Sequence, residues 1–322
     1  MATCVRMLSD EEWGRGGWGL MEKIDDLLDR LRDKATAARG QGGQTRILPD
    51  RHPVRDFFIA DLVDWALKDD WHSMEHPFFS LSKNPDREIR RYDHNGISIT
   101  VTPSVLGLAT IWDKDILIYA VSQLVEAFNQ GRRDVGPRVR ITAYDLLVAT
   151  NRYSGGKNYE QLAEACRRLA GTRIETDIKT NGVRQREGFG LLDGWKIIER
   201  HPNNGRMVAI ELRLSDWLYN AVLACEVLTL NRDYFRISGG LDRRLYELAR
   251  KHCGNQAKWT ISTKLLHKKS GSRATIVKFR EMLKRTAMDD CLPDYRVTYD
   301  TETDQAMFLI RGHNEAGAAL SI

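Results

Sequence analysis

Apolar positions along the chain recur with two periods, and the period changes at Gly, Pro and Asn-Gly punctuation. Near the N-terminus, Ile24, Leu27, Leu28 and Leu31 share one helical face. They predict a helix over Glu22–Ala38, set between two glycine-rich stretches. A helix is expected over Asp56–Leu67, with Phe57, Ala60 and Trp65 available for burial. Ile97–Thr102 alternates strictly and predicts a strand. Asp115–Asn129 has Ile116, Ala120, Leu124, Ala127 and Phe128 at helical spacing. A strand over Arg138–Ile141 follows. Thr142 then caps a helix, Ala143–Thr150, with Asp145 as the acid of the first turn. After the turn Tyr153–Gly156, a third helix is expected over Asn158–Ala170, with Gly171 as its stop. Strands over Arg173–Lys179 and Val183–Phe189 flank Asn181-Gly182, the strongest short hairpin signal. Further strands are expected at Trp195–Ile198 and Met207–Leu214, and Ser215 caps a helix over Asp216–Cys225.

The same order returns downstream. A helix over Leu241–His252 precedes a strand at Lys258–Ile261. Ser262 caps a helix over Thr263–Lys269, Ser270-Gly271-Ser272 is a turn, and Arg273–Met288 is a third helix. Strands at Tyr295–Tyr299 and Ala306–Arg311 enclose a hairpin tip. This order is that of a winged helix, present twice. The fold class is therefore α+β, with two tandem winged-helix domains and an N-terminal extension. The expected boundaries are 1–45 for a flexible extension, 46–228 for a first winged-helix domain with added strands, and 229–322 for a second, basic one. Two unrelated α+β domains are the alternative on pattern alone.

Composition agrees on the domain count: 322 residues fit two units of about 150. With 42% hydrophobic and 29% charged residues the chain is globular. A net charge of +5 says little by itself, but its distribution is uneven. Residues 231–290 hold 15 Lys and Arg against six acids, an excess of nine, while the rest of the chain sums to −4. An excess of this size on paired helices is the electrostatic footprint of phosphate binding.

The expected partner is double-stranded DNA. On the third helix of the second module, Lys278 and Arg285 lie opposite the buried face, flanked by Arg273, Arg280 and Lys284. Lys268, Lys269, Ser270 and Ser272 at the preceding turn suit phosphates. In the first module, Asn158, Gln161 and Arg168 fall on the face opposite Leu162 and Cys166, with Lys157 at the helix start. Asn and Gln pair with adenine edges. The hairpin carries Lys179, Arg184 and Arg186, a basic wing tip for a minor groove or backbone. For each single residue the alternative is an ordinary solvated side chain.

Catalytic motifs are absent. His72-Ser-Met-Glu75-His76 has the spacing of a zinc-binding H-x-x-E-H, but Pro77 disfavours the helix that chemistry needs. Ser154-Gly-Gly-Lys157-Asn158 fails as a P-loop, since Asn151 stands at the first Gly position and Asn158 at the Ser/Thr position. The nearest two of the five cysteines lie 28 residues apart, so there is no metal knuckle or secreted disulfide framework. No window reaches the roughly 18 apolar residues of a membrane helix, and the acidic N-terminus has no signal-peptide core. The expectation is a cytoplasmic, DNA-associated binder that is not an enzyme, with no cofactor, metal or membrane contact.

Longer motifs then carry a family resemblance. They include Leu48-Pro-Asp-Arg-His-Pro53, Ser73-Met-Glu-His-Pro77, Arg91-Tyr-Asp-His-Asn-Gly96 and Gly107-Leu-Ala-Thr-Ile-Trp-Asp-Lys-Asp115. Thr142-Ala-Tyr-Asp-Leu-Leu-Val-Ala-Thr-Asn-Arg152, Leu214-Ser-Asp-Trp-Leu-Tyr-Asn-Ala221, Leu245-Tyr-Glu-Leu-Ala-Arg-Lys-His-Cys-Gly254 and Leu265-Leu-His-Lys-Lys-Ser-Gly-Ser272 continue the run. Over about residues 47–312 the chain resembles the replication initiator protein A family of bacterial plasmids. The resemblance implies tandem winged helices that bind origin repeats, open the origin and help load the host replicative helicase. A host initiator and a homodimer are further partners it suggests. A transcriptional repressor of the same fold remains the alternative reading at this point.

Overall fold

The computed structural model describes residues 47–51, 67–70, 74–94, 97–132, 135–176, 179–180, 183–184, 187–199, 207–254 and 256–311. In chain order the elements are β1 (Leu67–Asp70), β2 (Arg90–His94), β3 (Ile97–Thr102), α1 (Lys114–Asn129), β4 (Arg138–Thr142), α2 (Ala143–Ala149) and α3 (Gly156–Gly171). Then come β5 (Arg173–Thr176), β6 (Lys179–Thr180), β7 (Val183–Arg184), β8 (Glu187–Gly190), β9 (Leu192–Glu199), β10 (Met207–Leu214), α4 (Asp216–Leu223) and β11 (Val227–Leu230). After a short 3-10 turn at Arg232–Arg236 follow α5 (Gly240–Cys253), β12 (Lys258–Ser262), α6 (Thr263–Ser270), α7 (Ile276–Asp289), β13 (Tyr295–Asp300) and β14 (Gln305–Ile310). The expected helix at 22–38, residues 56–66 of the one expected at 56–67, and the Asn181-Gly182 turn lie outside the described residues; Leu67, expected to end that helix, begins a strand instead.

The chain uses one plan twice. In the second module the three-stranded antiparallel sheet has the order β12-β14-β13. In the first it is β4-β10-β9. In both, the strand after the first helix pairs with the last strand, which pairs with the one before it. This corrects one expectation. The hairpin over 173–189 does not return to β4; β5 and β8 join β2 and β3 in a separate four-stranded sheet, β2-β3-β5-β8. The reason is length and alternation. β10 offers eight residues with Ala209, Ile210 and Leu212 buried, matching Val139 and Ile141 of β4 in register. The four-residue β5 pairs along its whole length with the six-residue β3 instead, with Ile174 opposite Val101.

Local chemistry sets the helix starts. The Ser215 side chain accepts from the Leu218 amide and that of Ser262 from the Leu265 amide, each at 3.4 Å. α7 starts later than expected, at Ile276, because Thr275 is its cap and accepts from the Lys278 amide at 3.3 Å. The Ser272 hydroxyl meanwhile takes the Ala274 amide, which keeps 272–275 out of the helix. Arg273 is thus a turn residue and not a helical one.

Within Arg46–Ile322, a single compact unit, two hydrophobic cores divide the modules. One gathers α1–α4 and their sheets, with Ile116, Leu146, Leu162, Ile210 and Trp217. The other gathers α5–α7 and the β12-β14-β13 sheet, with Tyr234, Leu245, Phe279, Leu283 and Phe308, and it also takes Met74 and Ile118 from the first half. Helix α1 is buried on nearly every side over Lys114–Val125, as suits a helix with a module on each flank.

Charges join the two modules. Lys114 Nζ lies 2.9 Å from Glu247 Oε1, with both side chains 1% exposed. Arg243 Nη1 donates to Asp115 at 2.6 Å, Arg152 reaches the same carboxylate at 3.0 Å, and Arg244 pairs with Glu247 at 3.0 Å. Further guanidinium donors of Arg243 and Arg244 go to the carbonyls of Ile237, Phe235, Met74, Glu75 and Lys269. Burial alone would raise the Glu247 carboxyl; the charges of Lys114 and Arg244 overcome it and hold the carboxyl low.

Candidate nucleic-acid interface

The basic stretch 231–290 is less exposed than its composition suggests. Eight of its fifteen cations and three of its six acids are solvent-exposed; Arg243, Arg244 and Lys269 are buried in the ion network. What remains on the surface is concentrated on α7 and the outer side of α6. Phe279, Leu283 and Thr286 point α7 into the core, so Lys278, Glu281, Lys284 and Arg285 face solvent, with Lys264 and Lys268 exposed on α6. Val277 and Met288 stand at the two ends of the same face, 62% and 84% exposed. Lys278 pairs with Glu281 of the same helix at 2.8 Å, and Lys284 lies over the Tyr299 ring.

The turn before α7 is placed differently from the expectation. Lys269 and Ser270 are buried: Lys269 pairs with Glu75, and the Ser270 hydroxyl donates to the His267 carbonyl. Gly271, at φ +68°, lies so close to the first module that a Cβ there would stand 2.5 Å from Pro77 Cβ. Arg273 bridges to Asp86 at 2.6 Å and to Glu88, and Lys268 donates to the Asp93 carbonyl. Ser272 uses its hydroxyl on the local backbone. The turn is an inter-module joint, because Asp86, Glu88 and Glu75 of the first module offer its cations a nearer partner than a phosphate.

Glu75 shows this joint's electrostatics. Burial would raise its carboxyl, but hydrogen bonds and charge from His252 and Lys269 outweigh that and hold it at about 2. The H-x-x-E-H spacing therefore ends in an ion pair, with His76 buried against Phe78 and Tyr92; His72 lies outside the described residues. Among the described residues no cluster of His, Cys, Asp and Glu could hold a metal ion. None of the described helices is long and apolar enough to cross a membrane.

The second hairpin tip is acidic: Asp300, Glu302 and Asp304. Arg280 is held there, with Nε and Nη2 donating to the two oxygens of Asp304 at 2.9 and 2.6 Å, and Tyr299 donates to the same carboxylate. These hydrogen bonds, Arg280 first, hold the Asp304 carboxyl far below its ordinary range.

In the first module Arg168 is also committed, donating twice to Asp113 at 2.8 Å and so tying α3 to the start of α1. Lys157 and Gln161 are exposed and Asn158 half-buried. Asn158 and Gln161 line a cleft of about 520 Å³ whose far wall includes Phe235, Ile237 and Ser238 of the second module. Lys179 and Arg184 sit on the two-stranded β6–β7 ribbon, and Arg186 is outside the described residues. A strap at 47–51 spans both modules: Ile47 bridges Ile237, Leu48 donates to the Arg236 carbonyl at 2.7 Å, and the Arg51 amide donates to Asn151 Oδ1 at 2.9 Å. Sequence reasoning missed the strap and the cleft. Its one available signal was the Leu48–Pro53 motif, which has no periodicity.

Comparison with known proteins agrees with this architecture. Residues 68–297 match the family model "Replication initiator protein A". A relative from Wigglesworthia glossinidia brevipalpis, named for a role in replication, is 40% identical over 257 residues, covering 79% of this chain and 93% of that one. Two solved structures of domains 2 and 3 of RctB share the fold with TM-scores of 0.50. They are 12% and 11% identical and cover 72% and 74% of this chain and 94% and 96% of theirs. A match over most of its length, built on the motifs that form its two repeated modules, makes this chain a member of the replication initiator protein A family.

Proposed function

We propose that this replication initiator is a pair of tandem winged helices, 46–228 and 229–322, that binds double-stranded DNA sequence-specifically at repeats in a plasmid origin. The observation that carries the reading is the outward face of α7, where Lys278, Lys284 and Arg285 are exposed on the third helix of its module. A helix so placed enters a major groove, with Arg donating to guanine and Val277 and Met288 available to thymine methyls. The acidic tip of the β13–β14 hairpin turns phosphates away, so backbone anchoring falls to Lys264 and Lys268 of α6. The basic side chains at the first module's hairpins are the second anchor. Binding energy, without nucleotide hydrolysis or strand cleavage, deforms the origin. The opened origin is then the platform for the host initiator and replicative helicase.

The test is binding of an origin-repeat duplex by fluorescence anisotropy across salt concentrations. Replacing Lys278, Lys284 and Arg285 with Ala together should weaken discrimination against a scrambled repeat, at roughly 1–3 kcal/mol per lost base contact, and replacing Lys264 and Lys268 with Ala should lower the salt slope by roughly two, at about 0.9 per lost phosphate contact. Unchanged discrimination in the first variant would remove α7 from the interface. Incubation of supercoiled origin DNA with protein and Mg²⁺ should leave it supercoiled; a nicked product would overturn the non-catalytic reading.

A further inference from the structure

The cleft between the modules has a chemistry of its own. Its volume, about 520 Å³, is that of a small-molecule site, and such sites favour the junction of two folded units. Three kinds of side chain meet in it. Asn158 and Gln161 of α3 present amides. Trp112 and Tyr153 present ring faces, Tyr153 being 62% exposed. Arg51 and Lys83 bring positive charge, each already over one ring: Arg51 at 4.3 Å from the Tyr153 centroid and Lys83 at 4.9 Å from that of Trp112.

The charge balance favours an anion. Of the cleft's three carboxylates, Asp113 and Asp115 are taken up by Arg168, Arg152 and Arg243, and Glu164 lies 3.8 Å from Arg168, against five cations in the same lining. Arg51 and Lys83 pair with no carboxylate among the described residues, and Arg51 Nε is buried there without a hydrogen-bond partner. An acidic ligand would complete them. An aliphatic acid would leave the rings and amides unused, whereas a phosphate-bearing planar base uses all three groups. Aromatic faces stack bases of any sequence, amides read an adenine edge, and guanidinium and ammonium groups bind phosphate.

We propose that the inter-module cleft is a nucleotide site, with Asn158 and Gln161 on the base, Trp112 and Tyr153 as stacking faces, and Arg51 and Lys83 on the phosphate. The site is separate from the duplex-binding face of α7. Its occupant is either a free nucleotide or one unpaired nucleotide of a single strand. Either would bind across both modules and so stabilise their closed arrangement.

The test uses the full chain and two probes, fluorescent dATP and a fluorescent (dA)6 single strand, each titrated by anisotropy. Binding of both identifies a site for free nucleotides; binding of the strand alone identifies a single-strand site. In either case Arg51→Ala and Asn158→Ala should each weaken the bound probe at least tenfold, with thermal melting showing that the variants fold. Arg51→Ala should bind the origin-repeat duplex within twofold of the parent, which separates failure here from failure of the α7 reading. If neither probe binds at millimolar concentration, or if the folded variants bind as the parent does, the cleft is not a nucleotide site.

Discussion

Asp115, at the start of α1, and Arg243, in the first turn of α5, meet at 2.6 Å with both side chains sealed from solvent. The contact joins residues 128 positions apart and sits beside a second buried pair, Lys114 with Glu247. The two modules are therefore not beads on a linker. Their relative placement is held by charges that have no water to fall back on.

Breaking one side of such a pair strands the other charge. Lys114→Met and Asp115→Asn should each destabilise the chain by about 3–5 kcal/mol, read as a lower urea midpoint. A midpoint equal to that of the parent would mean that the ion network is not part of the folded core in solution.

Acid should loosen the joint at Glu75. Its carboxyl is lowered from an ordinary 4.5 to about 2 in the fold. The stability it contributes is therefore complete above about pH 4.5 and is lost as pH falls toward 2. Glu75→Gln should flatten the fall of melting temperature over that window, while leaving the protein less stable at neutral pH. An identical acid profile in the variant would show that the Lys269 and His252 contacts do not persist.

Two glycines separate backbone strain from packing. Gly131 and Gly271 both have positive φ, +74° and +68°, but a Cβ at Gly131 meets nothing within 4 Å, whereas one at Gly271 meets Pro77. Gly131→Ala should cost about 1–2 kcal/mol, the conformational term alone. Gly271→Ala should cost clearly more, because Pro77 is rigid and the first module must shift. Equal losses in denaturant melts would put the turn away from Pro77.

The strap at 47–51 is readable by hydrogen exchange. Asn151 holds it through the Arg51 amide, the Pro49 carbonyl and the Arg51 guanidinium on its own carbonyl. Asn151→Ala removes the first two, so the Leu48 amide, which donates to Arg236, should exchange at least tenfold faster. Unchanged protection would place the strap's anchor at Arg236 and Ile237 alone.

The elements were largely legible because they depend on neighbours a few positions away. The alternation of β10, the Ser215 and Ser262 caps and the Asn/Gly/Pro punctuation are local features, and the second module's order was readable through them. The first module's sheet pairing was not. Choosing between β5 and β10 as the partner of β4 depends on which edge is longer and better matched in register, a comparison between residues some seventy positions apart. The site divided in the same way. Lys278, Lys284 and Arg285 are exposed because helical periodicity alone turns them away from Phe279 and Leu283. Lys269, Arg273, Arg280 and Arg168 share the same charge and similar spacing, yet each is taken up by a carboxylate from a distant segment.

By itself the sequence determined the class of elements, their order, the repeated plan, the family and the polarity of charge along the chain, since each follows from composition and short-range pattern. Only the tertiary structure decided which of those charges face outward. A cation's position on a helix sets its direction, but whether it meets solvent, a phosphate or Glu75 depends on what long-range packing brings within a few ångströms.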